Sequence, residues 1–240
     1  MGVKFTKMHG LGNDFMVIDA INQRIDFTSA DIAALSERNT GVGFDQCLLI
    51  ETSPFANVDF FYRIFNANGQ EVGQCGNGAR CLARFAQRYG LTKKELMTVA
   101  TQTTRMQLQI NPNQTVTINM GQPVLQPAQI PLDALDQAPV YNIPIAHQKI
   151  QAVHSLSIGN PHAVIQVPDI VHAHVQEIGQ QISEHHLFPA QTNVGFMQIL
   201  TPQHIQLRVY ERGCGETRAC GSGAVAAVAV GRLYHQLTEK

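Results

Sequence analysis

Charge is scarce in this 240-residue chain. Asp, Glu, Lys and Arg make up 15% of it and nearly cancel, leaving a formal net charge of −1. Such a surface offers no electrostatic footprint for nucleic acid or an anionic membrane. No apolar run approaches the ~18 residues that would span a bilayer, and the opening MGVKFTKMHG has no secretory apolar core. Lys7 stands where a myristoylation signal at Gly2 needs Ser or Thr. Cysteines are few and odd in number: Cys47, Cys75, Cys81, Cys214 and Cys220. That argues against a disulfide framework and for reduced thiols. The glycine-rich stretches lack G-x-G-x-x-G spacing and no Gly-Lys-Ser/Thr occurs, which argues against nucleotide binding. No lysine motif marks a pyridoxal Schiff base. These absences lead to a cytoplasmic protein with no cofactor, no nucleic-acid partner and no membrane partner. Apolar residues, at 44%, suffice for a globular core.

What is present is a repeat. YRIFNANGQEVGQCGNGA (Tyr62 to Ala79) aligns without a gap on LRVYERGCGETRACGSGA (Leu207 to Ala224). The offset of 145 residues puts Arg63 on Arg208, Glu71 on Glu216, Cys75 on Cys220, Gly76 on Gly221 and Gly78 on Gly223. Upstream, GLGNDFMVID (Gly10 to Asp19) echoes SIGNPHAVIQ (Ser157 to Gln166), and GVGFDQCLLI echoes TNVGFMQIL. Three echoes in one order mean two copies of one unit. The Pro-rich GQPVLQPAQIP (Gly121 to Pro131) marks the join, giving domains 1–120 and 121–240.

Strand-like runs are DFMVID, VDFFYRIF, MQLQI, TVTINM, HAVIQV and IQLRVY. Helix patterns are TSADIAALSERN with Thr28 or Ser29 as cap, GARCLARFAQRYG, PDIVHAHVQEIGQQISEH and GSGAVAAVAVGRLYHQL. Strands cluster without regular βαβ alternation, so the expected class is α+β with mainly antiparallel sheets in two pseudo-symmetric domains.

Each repeat places a cysteine at a glycine-flanked helix start. Unpaired N–H groups and the positive end of the dipole lie there. They favour a thiolate, so each thiol pKa is expected to fall toward neutrality. The same N–H groups can hold a carboxylate. Two such domains facing across a cleft would set Cys75 and Cys220 on opposite sides of one carbon. One sulfur would remove a proton and the other deliver one, inverting the centre.

HGLGNDF, GFDQ, NANGQEVGQCGNGARC, GNPH, ERGCGET and ACGSGA resemble the diaminopimelate epimerase family, from Phe5 to about Leu233. The resemblance implies pyridoxal-free interconversion of LL- and meso-diaminopimelate in lysine and peptidoglycan synthesis. It implies a sheet wrapped round a central helix in each domain, and a homodimer in full-length relatives. It makes Cys75 and Cys220 the proton-transfer pair, assisted by His162 and Glu211. Asn13, Gln46, Asn66, Asn160, Asn193 and Arg212 match substrate contacts. Gly76, Asn77, Gly221 and Ser222 match groups that hold the reacting carboxylate.

Cys214 and Val225 depart from the family pattern, which has alanine and cysteine there. After Cys75 the first copy runs 45 residues to Met120, whereas 20 residues follow Cys220. The second copy is therefore expected to lack about two strands. Cys47 and Cys81 sit in apolar contexts and read as core. Arg63, Arg208, Glu71 and Glu216 read as fold residues. Two other readings stay open. One is a two-cysteine racemase acting on proline or hydroxyproline. The other is a zinc module using Cys75, Cys81, Cys214 and Cys220, against which the x5 spacing and the unmatched Cys81 and Cys214 weigh.

Overall fold

The computed structural model describes residues 2–146, 149–234 and 236–238. The chain divides into two compact units, Met1–Met120 and Gly121–Lys240, each with its own sheet. The class is α+β.

The first unit is built on strands β1 (Thr6–Gly10), β2 (Asn13–Asp19), β3 (Gln46–Thr52), β4 (Phe60–Asn66), β5 (Glu71–Val72), β6 (Leu96–Ala100), β7 (Arg105–Ile110) and β8 (Val116–Asn119). They form one sheet in the order β1-β2-β3-β4-β6-β7-β8, with β5 paired to β4. Only β2–β3 and β4–β6 run parallel. Two helices flank it, α1 (Ser29–Ser36) and α2 (Gly76–Arg88). Thr28 caps α1 in a box with Asp31, whose carboxylate returns to the Thr28 N–H. Burial on both faces of β2 and β3 explains their continuous apolar character. Phe15, Val17, Leu48 and Ile50 pack on α2, while Met16, Ile18, Cys47 and Leu49 pack on the side of Ile32 from α1. Ala79, Leu82, Ala83 and Ala86 of α2 are wholly buried, so this helix is the centre of its unit. Cys47 and Cys81 lie in these cores, and burial pushes their thiols up to about 12 and about 11.

The second unit repeats the plan with β9 (Tyr141–Ile145), β10 (Lys149–Ser157), β11 (Pro161–Gln166), β12 (Asn193–Thr201), β13 (His204–Glu211) and β14 (Gly215–Thr217). Their order is β14-β13-β12-β11-β10-β9, and only β11–β12 is parallel. Its helices are α3 (Val175–Ser183) and α4 (Gly221–Leu233). Ile165, Val175, Ile182, Val194, Phe196 and Tyr210 form the core under α3. Gly179 lets α3 lie directly on Tyr210, since a Cβ there would come within 2.5 Å of the Tyr210 side chain. α4 buries Ala226, Ala227 and Val230 but exposes Val225, Val228 and Leu233.

The helix expected from Pro168 begins only at Val175. Asp169 takes the backbone N–H groups of Val171 and His172 on its carboxylate, at 2.8 and 3.4 Å. This local turn competes with helix formation. The matched arginines bind their matched glutamates twice over, Arg63 to Glu71 and Arg208 to Glu216, each joining the strand before the cysteine loop to the short strand inside it.

Candidate active site

Both repeat cysteines are helix N-caps. Cys75 and Cys220 have extended backbones, and each sulfur accepts a hydrogen bond from the third residue onward, Gly78 N at 3.3 Å and Gly223 N at 3.4 Å. Both glycines sit in tight places. A Cβ on Gly78 would meet Leu48 at 3.1 Å, and one on Gly223 would meet Val209 at 3.2 Å and the Cys220 sulfur at 3.3 Å. Any side chain there would have to push these neighbours aside by a few tenths of an ångström for the cysteine loop to keep its place on the sheet.

Around Cys75 the first unit gathers amides. Asn13, at the start of β2, lies with Oδ1 3.9 Å from Cys75 Sγ, and Asn77 Nδ2 donates to that same oxygen at 3.4 Å. Gln46 and Asn66 are paired across β3 and β4, with Gln46 Nε2 donating to Asn66 Oδ1 at 2.9 Å. The loop ahead of Cys75 is clamped by Thr101 and Thr103, whose hydroxyls both donate to Gly73 O, at 2.5 and 2.9 Å. The wholly buried Tyr62 places its hydroxyl 3.5 Å from Cys75 O.

The matching places in the second unit hold charge. Asn193 and Glu211 are neighbours on β12 and β13, next to the Val194–Tyr210 pair. Glu211 accepts from the Thr217 hydroxyl, and the neighbouring Cys220 thiol also favours its carboxylate. Burial nevertheless raises its carboxyl above the usual value. Asn160 donates from Nδ2 to Ser222 Oγ at 3.3 Å, and Ser222 Oγ lies 3.5 Å from Cys220 Sγ. The other end of Asn160, Oδ1, meets His162 Nε2 at 3.1 Å. With the Asn160 N–H groups turned to Ser222, Oδ1 is the acceptor and His162 Nε2 the donor. His162 is completely buried. That burial, with the Arg212 charge added, pushes its pKa down to about 3, so it is a neutral imidazole. Arg212 donates its backbone N–H to Asn193 Oδ1 at 3.0 Å and its guanidinium to Ala190 O at 2.9 Å.

One expectation is corrected here. The Cys220 thiol does not fall toward neutrality. Burial pushes it up to about 12, and the Glu211 carboxylate adds to the rise, against smaller stabilisation from Ser222 and the Gly223 N–H. Desolvation of the thiolate outweighs the helix start.

Buried polar atoms without partners concentrate at these places. Among the described residues they are Gln46 Oε1, both amide atoms of Gln74, His162 Nδ1 and Ser183 Oγ. Only Ser183 lies away from the residues named above. Each such atom costs about 1–3 kcal/mol unless a partner arrives, and a bound ligand is the natural partner. All fourteen residues singled out in the sequence fall into two local groups. Asn13, Gln46, Asn66, Cys75, Gly76 and Asn77 belong to the first unit. Asn160, His162, Asn193, Glu211, Arg212, Cys220, Gly221 and Ser222 belong to the second. Asp45, Gln74, Arg80 and Thr217 touch or adjoin these residues and were not singled out, although all four lie inside the quoted motifs. Cys214 lies exposed between β13 and β14, and no three His, Cys, Asp or Glu side chains gather as a metal cluster among the described residues.

Comparison with known proteins agrees with this geometry. The diaminopimelate epimerase family model matches residues 5–126 and 154–240. The diaminopimelate epimerase of Legionella pneumophila strain Paris is 60% identical over 240 residues, covering all of this chain and 87% of that protein. In fold, the chain is similar to a hydroxyproline epimerase from Agrobacterium vitis (TM-score 0.67, 14% identity, 98% of this chain and 78% of that one). It is also similar to a probable proline racemase from Agrobacterium radiobacter K84 (TM-score 0.68, 14% identity, 99% and 79%). Those two likenesses are of fold alone, whereas the family-model match and the 60% identity over the whole chain are decisive: the chain belongs to the diaminopimelate epimerase family.

Proposed function

We propose that this chain interconverts LL- and meso-diaminopimelate by proton transfer at the α-carbon between two thiols, Cys75 and Cys220, with no pyridoxal cofactor. The observation that carries the reading is the pair of cysteine N-caps, one beside buried amide atoms of Gln46 and Gln74 and the other in the same unit as the buried His162 imidazole, with atoms that no protein group satisfies. In one direction a thiolate takes the α-proton from one face while the opposite thiol delivers its own proton to the other face. The C–H bond broken and the C–H bond formed then lie on opposite sides of the carbon, and the proton count is unchanged. In the reverse direction the sulfurs exchange roles, so the pair titrates together.

The charged half-site supplies the base for its own sulfur. Glu211 and the Cys220 thiol are close enough to shift one another, so proton transfer from the sulfur to the carboxylate yields thiolate and a neutral carboxyl. The raised carboxyl of Glu211 suits that role. An α-ammonium group placed beside the sulfur would offset the desolvation that holds Cys220 as a thiol. Gly76, Asn77, Gly221 and Ser222, at the two helix starts, hold the carboxylate of the reacting centre. The neutral His162 offers Nδ1 as an acceptor. Asn13, Gln46, Asn66, Asn160, Asn193 and Arg212 bind the remaining zwitterionic groups, for which directional amides and a guanidinium are suited. A cytoplasmic homodimer serving lysine and peptidoglycan synthesis completes the reading.

The test is exchange in heavy water. Incubated with diaminopimelate, the wild type should place deuterium at the α-carbon as the isomers interconvert. C75A and C220A should each abolish interconversion while retaining the wild-type fold by circular dichroism. Exchange into proline or hydroxyproline instead of diaminopimelate would assign the substrate to the racemase alternative. Turnover surviving in either variant would refute the two-thiol scheme.

A further inference from the structure

An asparagine amide offers N–H donors at one end and a carbonyl acceptor at the other. In the first unit Asn13 Nδ2 donates to Asp45 Oδ2 at 3.0 Å, while Asn13 Oδ1 accepts from Asn77 Nδ2 and lies 3.9 Å from Cys75 Sγ. Asn77 is turned in the same sense, its Oδ1 accepting from Arg80. Donation therefore runs one way, from the Arg80 cation through Asn77 and Asn13 to the Asp45 anion.

The acidic end is braced. Arg38 Nη2 donates to Asp45 Oδ1 at 2.8 Å and to Asp14 Oδ1 at 2.9 Å, and Asp14 N donates to Asp45 Oδ2 at 3.0 Å. Asp45 N returns to Asp14 Oδ1 at 3.0 Å, and Lys7 Nζ reaches Asp14 Oδ2 at 2.7 Å. Partial burial raises the Asp14 carboxyl, but Arg38 and Lys7 overcome this and hold it well below the usual range. Reversing the two middle amides would put a carbonyl oxygen against a carboxylate and N–H groups against a guanidinium. Hydrogen bonds to charged groups are the stronger kind, so the ends dictate the middle.

We infer that Asp45 and Arg80 are positioning residues that lock the Asn77–Asn13 pair so that the Asn13 carbonyl oxygen, and not its N–H, faces the Cys75 sulfur. By strand register the second unit carries Thr192 where the first has Asp45, and by the 145-residue offset Val225 where it has Arg80, and there Asn160 turns its N–H end toward Ser222, the residue matching Asn77. The inference rests on Cys75 and Asn13 being site residues, but its test reads sulfur reactivity and not turnover.

A hydrogen-bond acceptor beside a thiol favours S–H, and a donor favours the thiolate. In D45N the Asn13 amide is free to turn its N–H groups to the sulfur. Alkylation of the full chain by iodoacetamide at about pH 8, where thiolate limits the rate, is followed by mass spectrometry of the Cys75 and Cys220 peptides. We expect D45N to speed Cys75 alkylation about tenfold, the weight of one hydrogen bond, with Cys220 unchanged. R80M releases the other end and should move Cys75 in the same direction, which covers the case of a D45N chain that does not fold. In an N13A background D45N should add nothing. Unchanged Cys75 reactivity in both variants, equal changes at both cysteines, or effects of D45N and N13A that multiply would overturn the inference. Failure of wild-type epimerisation would defeat the proposed function while leaving these alkylation rates to decide this point.

Discussion

In the first unit Gln46 and Asn66 are partners across two strands. In the second, the corresponding strands present Asn193 and Glu211. Asn13 shows its carbonyl end to the cysteine loop, and Asn160 shows its N–H end. Phe15 sits in the register place that His162 takes in the second unit, each beside the first residue of the next strand. One scaffold thus carries an amide half-site and an ionisable half-site. The comparison teaches that the repeat preserves what positions the sulfur: the strand, the Arg–Glu clasp, the glycine and the helix start. What surrounds the sulfur has diverged. Because the sulfurs exchange roles with direction, each half must be able to hold and to give a proton, and the two halves can do so with different neighbouring groups.

The largest break in the comparison should come from E211Q. Glutamine keeps the shape and the bond from Thr217 but cannot take the Cys220 proton, so kcat should fall about 10²–10⁴-fold, the usual weight of a general base. N66A, at the matching amide, should act mainly on KM, because neither Asn66 nor its partner Gln46 carries a titratable group. Steady-state kinetics in both reaction directions separates the two. Both variants altering KM alone would mean that the halves differ in form and not in role.

His162 gives a second test, through stability. Its ordinary pKa of 6.5 is pushed down to about 3 by burial. Below pH 6.5 the unfolded chain therefore takes up a proton that the folded chain refuses until about pH 3. Stability from this group is complete above pH 6.5 and is lost as pH falls. Between pH 7 and pH 5 the loss is about 2 kcal/mol. H162F installs the residue the first unit uses and removes this loss. Urea melts of both proteins at the two pH values should show the wild type losing about 2 kcal/mol more than H162F. Parallel losses would mean that His162 gains its proton without unfolding.

Much of this was legible in the residues. The cysteine pair could be read because a thiol, its flanking glycines and the following small residues recur at a fixed offset, and a tight helix start admits few alternatives. The burial of Cys47 and Cys81 followed from apolar neighbours. The high Cys220 pKa could not be read, because a local pattern reports the helix start but not how much water the fold removes. Asp45, Arg80 and Thr217 were hidden for a similar reason. Each acts on a residue that the strands bring beside it, and spacing along the chain does not show that. The helix expected from Pro168 failed at Asp169, where a side chain that often caps a helix instead closed a turn.

That turn bears on the smallest predicted effect. Arg63 and Arg208 hold their glutamates alike, and each ion pair is about one-third exposed, worth no more than about 1 kcal/mol. E71Q and E216Q should therefore cost little and cost the same. The arginines themselves are not equivalent. Arg63 has Glu51 at 3.8 Å and its guanidinium lies over the Phe65 ring. Arg208 Nη1 instead donates to the carbonyls of Ile170, Val171 and Ala173, at 2.9, 3.3 and 3.3 Å, in the segment where the helix was expected to begin. A loop that gives up helical hydrogen bonds needs other donors, and here the repeated arginine supplies them. R208A should lower unfolding free energy by about 1–3 kcal/mol, as carbonyls are left without a protein donor, and by more than R63A. Urea midpoints measure both. Equal losses would show that water replaces the guanidinium at those carbonyls without penalty, and that the two clasps remain interchangeable even though the sites they support have diverged.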